Sequence, residues 1–356
     1  MQERRLEKLR QTMQQKGLPA VLITSSINRR YLTGFTGSAG VVVVTKESAV
    51  LLTDFRYMVQ APQEAAGYEV TDHKGKIGQT VLGILNKQGI KAIGFEENDL
   101  TYAGYSSYTD DLQGVEFIPT GGIVEKLRVI KDDTELAIMQ EAADLADRTF
   151  SYILTRIRAG VSEKQIALDI EMFIRENGGT SSSFDTIVAS GERSALPHGV
   201  ASDRILQQDE FVKLDFGALY KGYCSDITRT VVLGKPSEKH KEIYGIVLEA
   251  QLNCVDNLRA GMTGSEGDAL CRDIIAQHGY ADNFGHSTGH GLGMEVHENP
   301  RLAKGYPVIL EPGMVVTVEP GIYIPGFGGV RIEDDVIIEP EGIRLLTHSS
   351  KEFITI

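Results

Sequence analysis

Four carboxylates and one imidazole in the second half of this 356-residue chain have the types and surroundings that metal chemistry needs: Asp215, Asp226, His290, Glu319 and Glu333. Several of them interrupt apolar, β-branched runs, where a buried charge costs several kcal/mol unless something pairs it. A shared cation is the partner that would serve all five. Mixed oxygen and nitrogen donors suit Mn, Co, Zn or Fe, whereas a structural zinc would call for cysteine and calcium for an all-oxygen cage. Four carboxylates and one imidazole fit two ions better than one, and two ions about 3.5 Å apart can share a hydroxide and hold both faces of a reacting carbonyl. Singly, each carboxylate reads more simply as a surface charge on an edge strand. The full set in these contexts does not.

The segment FGHSTGHGLGMEVHE adds His286 and His297 to His290, among glycines that permit close backbone approach. A lone histidine is more often a hydrogen-bonded support than a ligand, so one of the three is open to that role. His198, in ALPHGVAS, precedes the first acidic strand pair much as His290 precedes the second. His73, His240, His278 and His348 stand in polar contexts and receive no role. Arg331, two residues before Glu333, is placed to orient that carboxylate from the same strand face.

The elements that must position these groups repeat. One helix ends in Arg158-Ala159-Gly160, and Ser162 opens a second helix with Gln165 in the capping-box position; another helix ends in Arg259-Ala260-Gly261 and is again followed by a second, running to Gly279. Each copy then leads into two β runs carrying two acids. In VKLDFGALYKGYCSDITRTVVL the strands turn at Lys221-Gly222; an even-residue loop makes partner positions sum to an odd number, so Asp215 and Asp226 fall on one face. In MVVTVEPGIYIPGFGGVRIEDDVIIEP the sum for Glu319 and Glu333 is even, so an odd-length loop or a bulge is required to align them. Two helix-helix-strand units of this kind predict an α+β domain with a pseudo-twofold axis, its four carboxylates meeting across that axis.

Ahead of this domain, Ala20 to Thr24, Gly40 to Thr45 and Ala49 to Thr53 read as strands, followed by an amphipathic TVLGILNKQG helix and an AIGFE strand. The pattern lapses at a PTGG turn, and a long helix begins near Asp132 with Glu135 set for a capping box, giving an expected α/β domain over 1–122 and a second domain over 123–356. The N-terminal segment reads as a surface helix, without the apolar core of a signal peptide or membrane span. Three cysteines outside any CxxC pattern suggest a reducing compartment, with the cytoplasm expected. A net charge of -13 argues against a nucleic-acid ligand.

Taken together, LDFG, SDITRT, HSTGHGLG, VEPG and RIEDD resemble the motifs of the pita-bread (creatinase/aminopeptidase-like) metallopeptidases, the family of aminopeptidase P, prolidase and methionine aminopeptidase. The resemblance spans essentially the whole chain. It implies that Asp226 and Glu333 bridge two ions, that Asp215 completes one shell, and that His290 with Glu319 completes the other. It makes His198 and His297 substrate-contacting. NRRYLTGFTGSAG and LLTDFRY resemble the creatinase-like leading domain of the proline-directed members, which methionine aminopeptidases mostly lack. The same stretches also read as a strand-loop-strand connection with an Asp54–Arg56 surface ion pair. Creatinases share the architecture but not the ligand set.

The implied reaction is hydrolysis of the Xaa-Pro bond at the N-terminus of small peptides, by a hydroxide bridging two ions, Mn2+ ahead of Co2+, Zn2+ or Fe2+. Glu319 would take the nucleophile's proton, and His198 and His297 would bind substrate and steady the tetrahedral intermediate. The reading leans to an Xaa-Pro aminopeptidase over an Xaa-Pro dipeptidase. A non-catalytic binding module on the same fold is disfavoured by the intact ligand set. A homodimer is implied by resemblance only, and no membrane partner is expected.

Overall fold

The computed structural model describes residues 1–356, in two compact units, Met1–Arg128 and Val129–Ile356. In the first, a six-stranded sheet runs in the order Glu69–Asp72, Ala49–Thr53, Val41–Thr45, Ala20–Ile23, Ala92–Phe95, Glu116–Pro119. The central strands are buried throughout, which is why they read as unbroken apolar runs. Helix Gln2–Lys16 buries Leu6, Leu9 and Met13 and stops at Gly17 in the left-handed conformation. Helix Ile123–Arg128, beyond the PTGG turn, belongs with this unit, because Arg128 donates to Asn28 (2.8 Å), which in turn donates to buried Glu96 (2.6 Å). Asp54 and Arg56 form an exposed ion pair at 2.8 Å.

The second unit is built twice from one plan. Helices Asp133–Leu154 and Glu163–Glu176 share a core with a three-stranded sheet of Ile187–Ser190, Glu210–Phe216 and Ile227–Leu233. Helices Glu238–Asn257 and Gly264–Gln277 share another with a five-stranded sheet that contains Gly289–Gly291, Val315–Val318 and Asp334–Ile338. The correspondence extends to single hydrogen bonds. Gly160 and Gly261, both with φ near +90°, donate to Leu206 O (3.0 Å) and Leu310 O (2.9 Å), and those leucines donate back to Val161 O and Met262 O. Ser162 and Thr263 then cap the equivalent second helices. Thr263 completes a capping box with Glu266, while Ser162 makes only the half that accepts from Gln165 N; the box at Asp132 and Glu135 is complete.

Candidate active site

The first strand pair does what parity requires. Glu210–Phe216 lies antiparallel to Ile227–Leu233 with Asp215 opposite Thr228, so Asp226, two residues earlier, shares its face. Lys221 and Gly222, both at positive φ, make the tight turn of the short inner hairpin. The second pair solves its even sum by loop length. Ile324 pairs with Gly328 across an odd loop of Pro325, Gly326 and Phe327, and Val318↔Asp334 and Gly321↔Arg331 keep one register on either side of Glu319 and Glu333. That register sets the two glutamates opposite each other without a bulge.

The halves are stitched together at the acids. Glu333 N donates to Thr228 O (3.1 Å), the Thr228 hydroxyl donates to Glu333 Oε2 (2.5 Å), and Asp226 N donates to Asp335 Oδ2 (2.9 Å). Asp226, His290 and Glu333 each bring a ligand atom within 4.8 Å of the others. His290 Nε2 lies 3.7 Å from Asp226 Oδ2 and 3.5 Å from Glu319 Oε1, while its Nδ1 is turned to Gly291 O at 3.0 Å. Burial lowers His290 to about 4. The ring is therefore neutral, with its Nε2 lone pair facing the acids, as a metal-ligating imidazole requires.

The carboxylates themselves are in conflict. Burial, then Glu333, pushes Asp226 well above the usual range; burial, then Glu319, does the same to Glu333; burial raises Glu319 to about 7. Asp226 Oδ1 is buried with no hydrogen-bond partner. A buried cluster of acids with an orphaned oxygen and a neutral imidazole is a donor set that divalent cations fit, since positive charge removes both the repulsion and the missing partner.

These groups line a cavity of about 470 Å³ that also exposes His198, His286, His297, Arg301 and Arg331, with Phe184, Ile187, Pro197, Val200 and Val296 as apolar wall. The ring of His297 stands 4.3 Å from that of His290, and burial followed by Arg301 lowers its pKa. His198 is exposed on the loop after Pro197. His286 has both ring nitrogens engaged, with Ser287 O and with the Tyr323 hydroxyl, each at 2.8 Å, and is thus the structural support among the three histidines. Arg331 differs from expectation. Its guanidinium donates directly to Asp215, lies 3.9 Å from Glu319, and reaches Glu333 through the Thr228 hydroxyl (3.0 Å).

Sequence reasoning missed Arg301, which brings an exposed guanidinium to the wall from strand Glu298–Leu302, and Tyr323, which links His286 to Arg331 (2.8 Å). It also missed Asp335, although the run of acids in IEDD was a usable signal. Nothing in the spacing of Arg301 or Tyr323 pointed to the site.

Two family models match: metallopeptidase family M24 over residues 137–340, and the creatinase/prolidase N-terminal domain over residues 5–130. The chain belongs to the M24 metallopeptidases. It is a hydrolase of the prolidase or aminopeptidase P type, on the two-domain creatinase-like and pita-bread fold. It is similar to an Xaa-Pro dipeptidase from Bacillus anthracis (54% identity, TM-score 0.98, 100% of each chain). An Xaa-Pro dipeptidase from Pyrococcus horikoshii is 40% identical over 98% of each chain. An X-Pro aminopeptidase from Thermotoga maritima is 38% identical, with TM-score 0.92 over 97% of this chain and 100% of that one. M24 metallopeptidases use divalent metal ions, in keeping with the acidic cluster. No helix is long and apolar enough to cross a membrane.

Proposed function

We propose that this M24 enzyme is an Xaa-Pro dipeptidase whose Asp215, Asp226, His290, Glu319 and Glu333 hold two divalent ions, manganese by preference. The observation that carries this reading is the buried convergence of Asp226, His290 and Glu333 in a peptide-sized cavity that also presents Arg301. The bound ions supply Lewis acidity at the scissile carbonyl and a water deprotonated near neutral pH.

The protein's own groups do the rest. The apolar wall of Phe184, Ile187, Val200 and Val296 receives the prolyl ring. Because the nitrogen of an Xaa-Pro bond carries no hydrogen, recognition cannot rely on an N–H there, and the leaving nitrogen must be protonated. Glu319, 3.5 Å from His290 at the cavity wall, is placed to take a proton from the attacking water and return it to that nitrogen. His198 and His297 steady the oxygen of the tetrahedral intermediate, and Arg331 holds Asp215 in place. A homodimer and a cytoplasmic setting belong to the same reading, supported by the family likeness and by three buried cysteines that form no disulfide.

Arg301 turns the choice toward dipeptides rather than the longer substrates of an aminopeptidase. Of the two guanidiniums in the cavity, Arg331 is taken up by Asp215, and exposed Arg301 fits the free carboxylate of a C-terminal proline, which a longer peptide lacks at that position. The Thermotoga relative favours the rival reading. The test compares manganese-loaded and chelated protein on an Xaa-Pro dipeptide and an Xaa-Pro-Yaa tripeptide. Turnover of the dipeptide alone supports the proposal; comparable turnover of the tripeptide makes the enzyme an aminopeptidase.

A further inference from the structure

Lys213 is fully buried in the strand Glu210–Phe216, two residues before Asp215, and Asp215 itself is occupied by Arg331. Its Nζ donates to main-chain carbonyls: Leu196 O at 2.6 Å, Ser194 O at 3.1 Å and Pro197 O at 3.4 Å, with the Tyr323 ring centroid 5.0 Å away. Three main-chain acceptors thus converge on this one nitrogen. The carbonyls belong to the loop that ends in His198. Buried Glu163 clamps the base of that loop by accepting from Ser190 N and Ser202 N, while its middle is held by Lys213 and by Arg331, which donates to Pro197 O at 3.1 Å. His198 itself is exposed at the cavity wall.

We infer that Lys213 is a positioning residue, a built-in hydrogen-bond donor that fixes the Ser194–Pro197 carbonyls and thereby holds His198 against the substrate; this rests on the role proposed for His198. A donor rooted in a buried strand gives the loop a fixed anchor. Misplacing a substrate-contacting group by about 1 Å lowers turnover by as much as roughly a hundredfold.

The test is a double-mutant cycle in kcat and KM on an Xaa-Pro dipeptide, with metal content measured for every variant. Lys213→Met is expected to lower kcat roughly tenfold or more with metal content unchanged, and to cost less than about twofold when His198 is already alanine. In Lys213→Ala, ammonium or methylammonium chloride is expected to restore part of kcat, while choline chloride, too large for the gap, is not. Wild-type kcat in Lys213→Met, or an equal loss in both His198 backgrounds, overturns the inference while leaving the proposed function standing. Full activity of His198→Ala alone overturns the role of His198 and the inference with it. If Lys213→Met does not fold, Lys213→Leu, which also removes the donor, is read against the same outcomes.

Discussion

The Thr228 hydroxyl donates to Glu333 Oε2 at 2.5 Å while Thr228 O accepts from Glu333 N, so one threonine of the first half-domain fixes both the backbone and the carboxylate of an acid in the second. Arg331 Nε donates to the same hydroxyl at 3.0 Å. Groups that orient a ligand commonly govern metal affinity by about ten- to a hundredfold. Thr228→Val, nearly equal in volume, is therefore expected to weaken manganese binding by roughly that factor, read by calorimetric titration. Unchanged affinity would detach Thr228 from the metal site.

His297 touches the ring of His290 but faces the cavity. His297→Ala should lower kcat far more than it lowers bound metal, measured by elemental analysis beside turnover. Equal loss of both would make His297 a support of the metal site.

Arg301 is the side chain on which the dipeptide reading turns. A hydrogen bond to a charged group is worth about 1.5–3 kcal/mol. Arg301→Met is therefore expected to reduce kcat/KM for an Xaa-Pro dipeptide by roughly ten- to a hundredfold, with little effect on an Xaa-Pro amide that lacks the carboxylate. Equal losses on both would remove the carboxylate-receiving role.

The acids predict an unusual pH dependence in the metal-free protein. Asp226, Glu319 and Glu333 are all raised in the fold, Glu319 to about 7, so the folded chain keeps protons that the unfolded chain loses near the ordinary carboxylate range of about 4. Where the native state binds more protons, stability falls as pH rises. The contribution of these groups is complete below the unfolded values and is lost as pH climbs through their folded ones. Thermal melts of chelated protein should thus show Tm falling between about pH 5 and 7.5. Manganese should oppose the fall, because deprotonated ligands bind it more tightly at higher pH. A chelated protein whose Tm rises over that range would contradict the assignment of the raised acids.

Much of this site was legible in the sequence because it rests on strand parity. The odd sum of Asp215 and Asp226 and the odd loop demanded by Glu319 and Glu333 are consequences of period-two geometry, and both appear in the register. The repeated Arg-Ala-Gly segments mark equivalent turns because each glycine adopts positive φ at the same hydrogen-bonded junction. What local pattern could not supply were contacts distant in the chain. Arg331 selects Asp215 over the nearer Glu333, Lys213 reaches back to the loop before His198, and Arg301 enters the cavity from a strand whose sequence carries no metal motif. The choice between aminopeptidase and dipeptidase was not legible for the same reason, since Arg301 meets the cavity only once the fold is assembled.

The central claim is that the buried acids and His290 bind the ions that drive Xaa-Pro cleavage. Titrating manganese into exhaustively chelated protein while following hydrolysis of an Xaa-Pro dipeptide tests it most directly. Turnover should be negligible without metal, rise to saturation at two equivalents, and lose that rise in Asp226→Asn. Turnover undiminished by chelation, or a full response to manganese in Asp226→Asn, would contradict it.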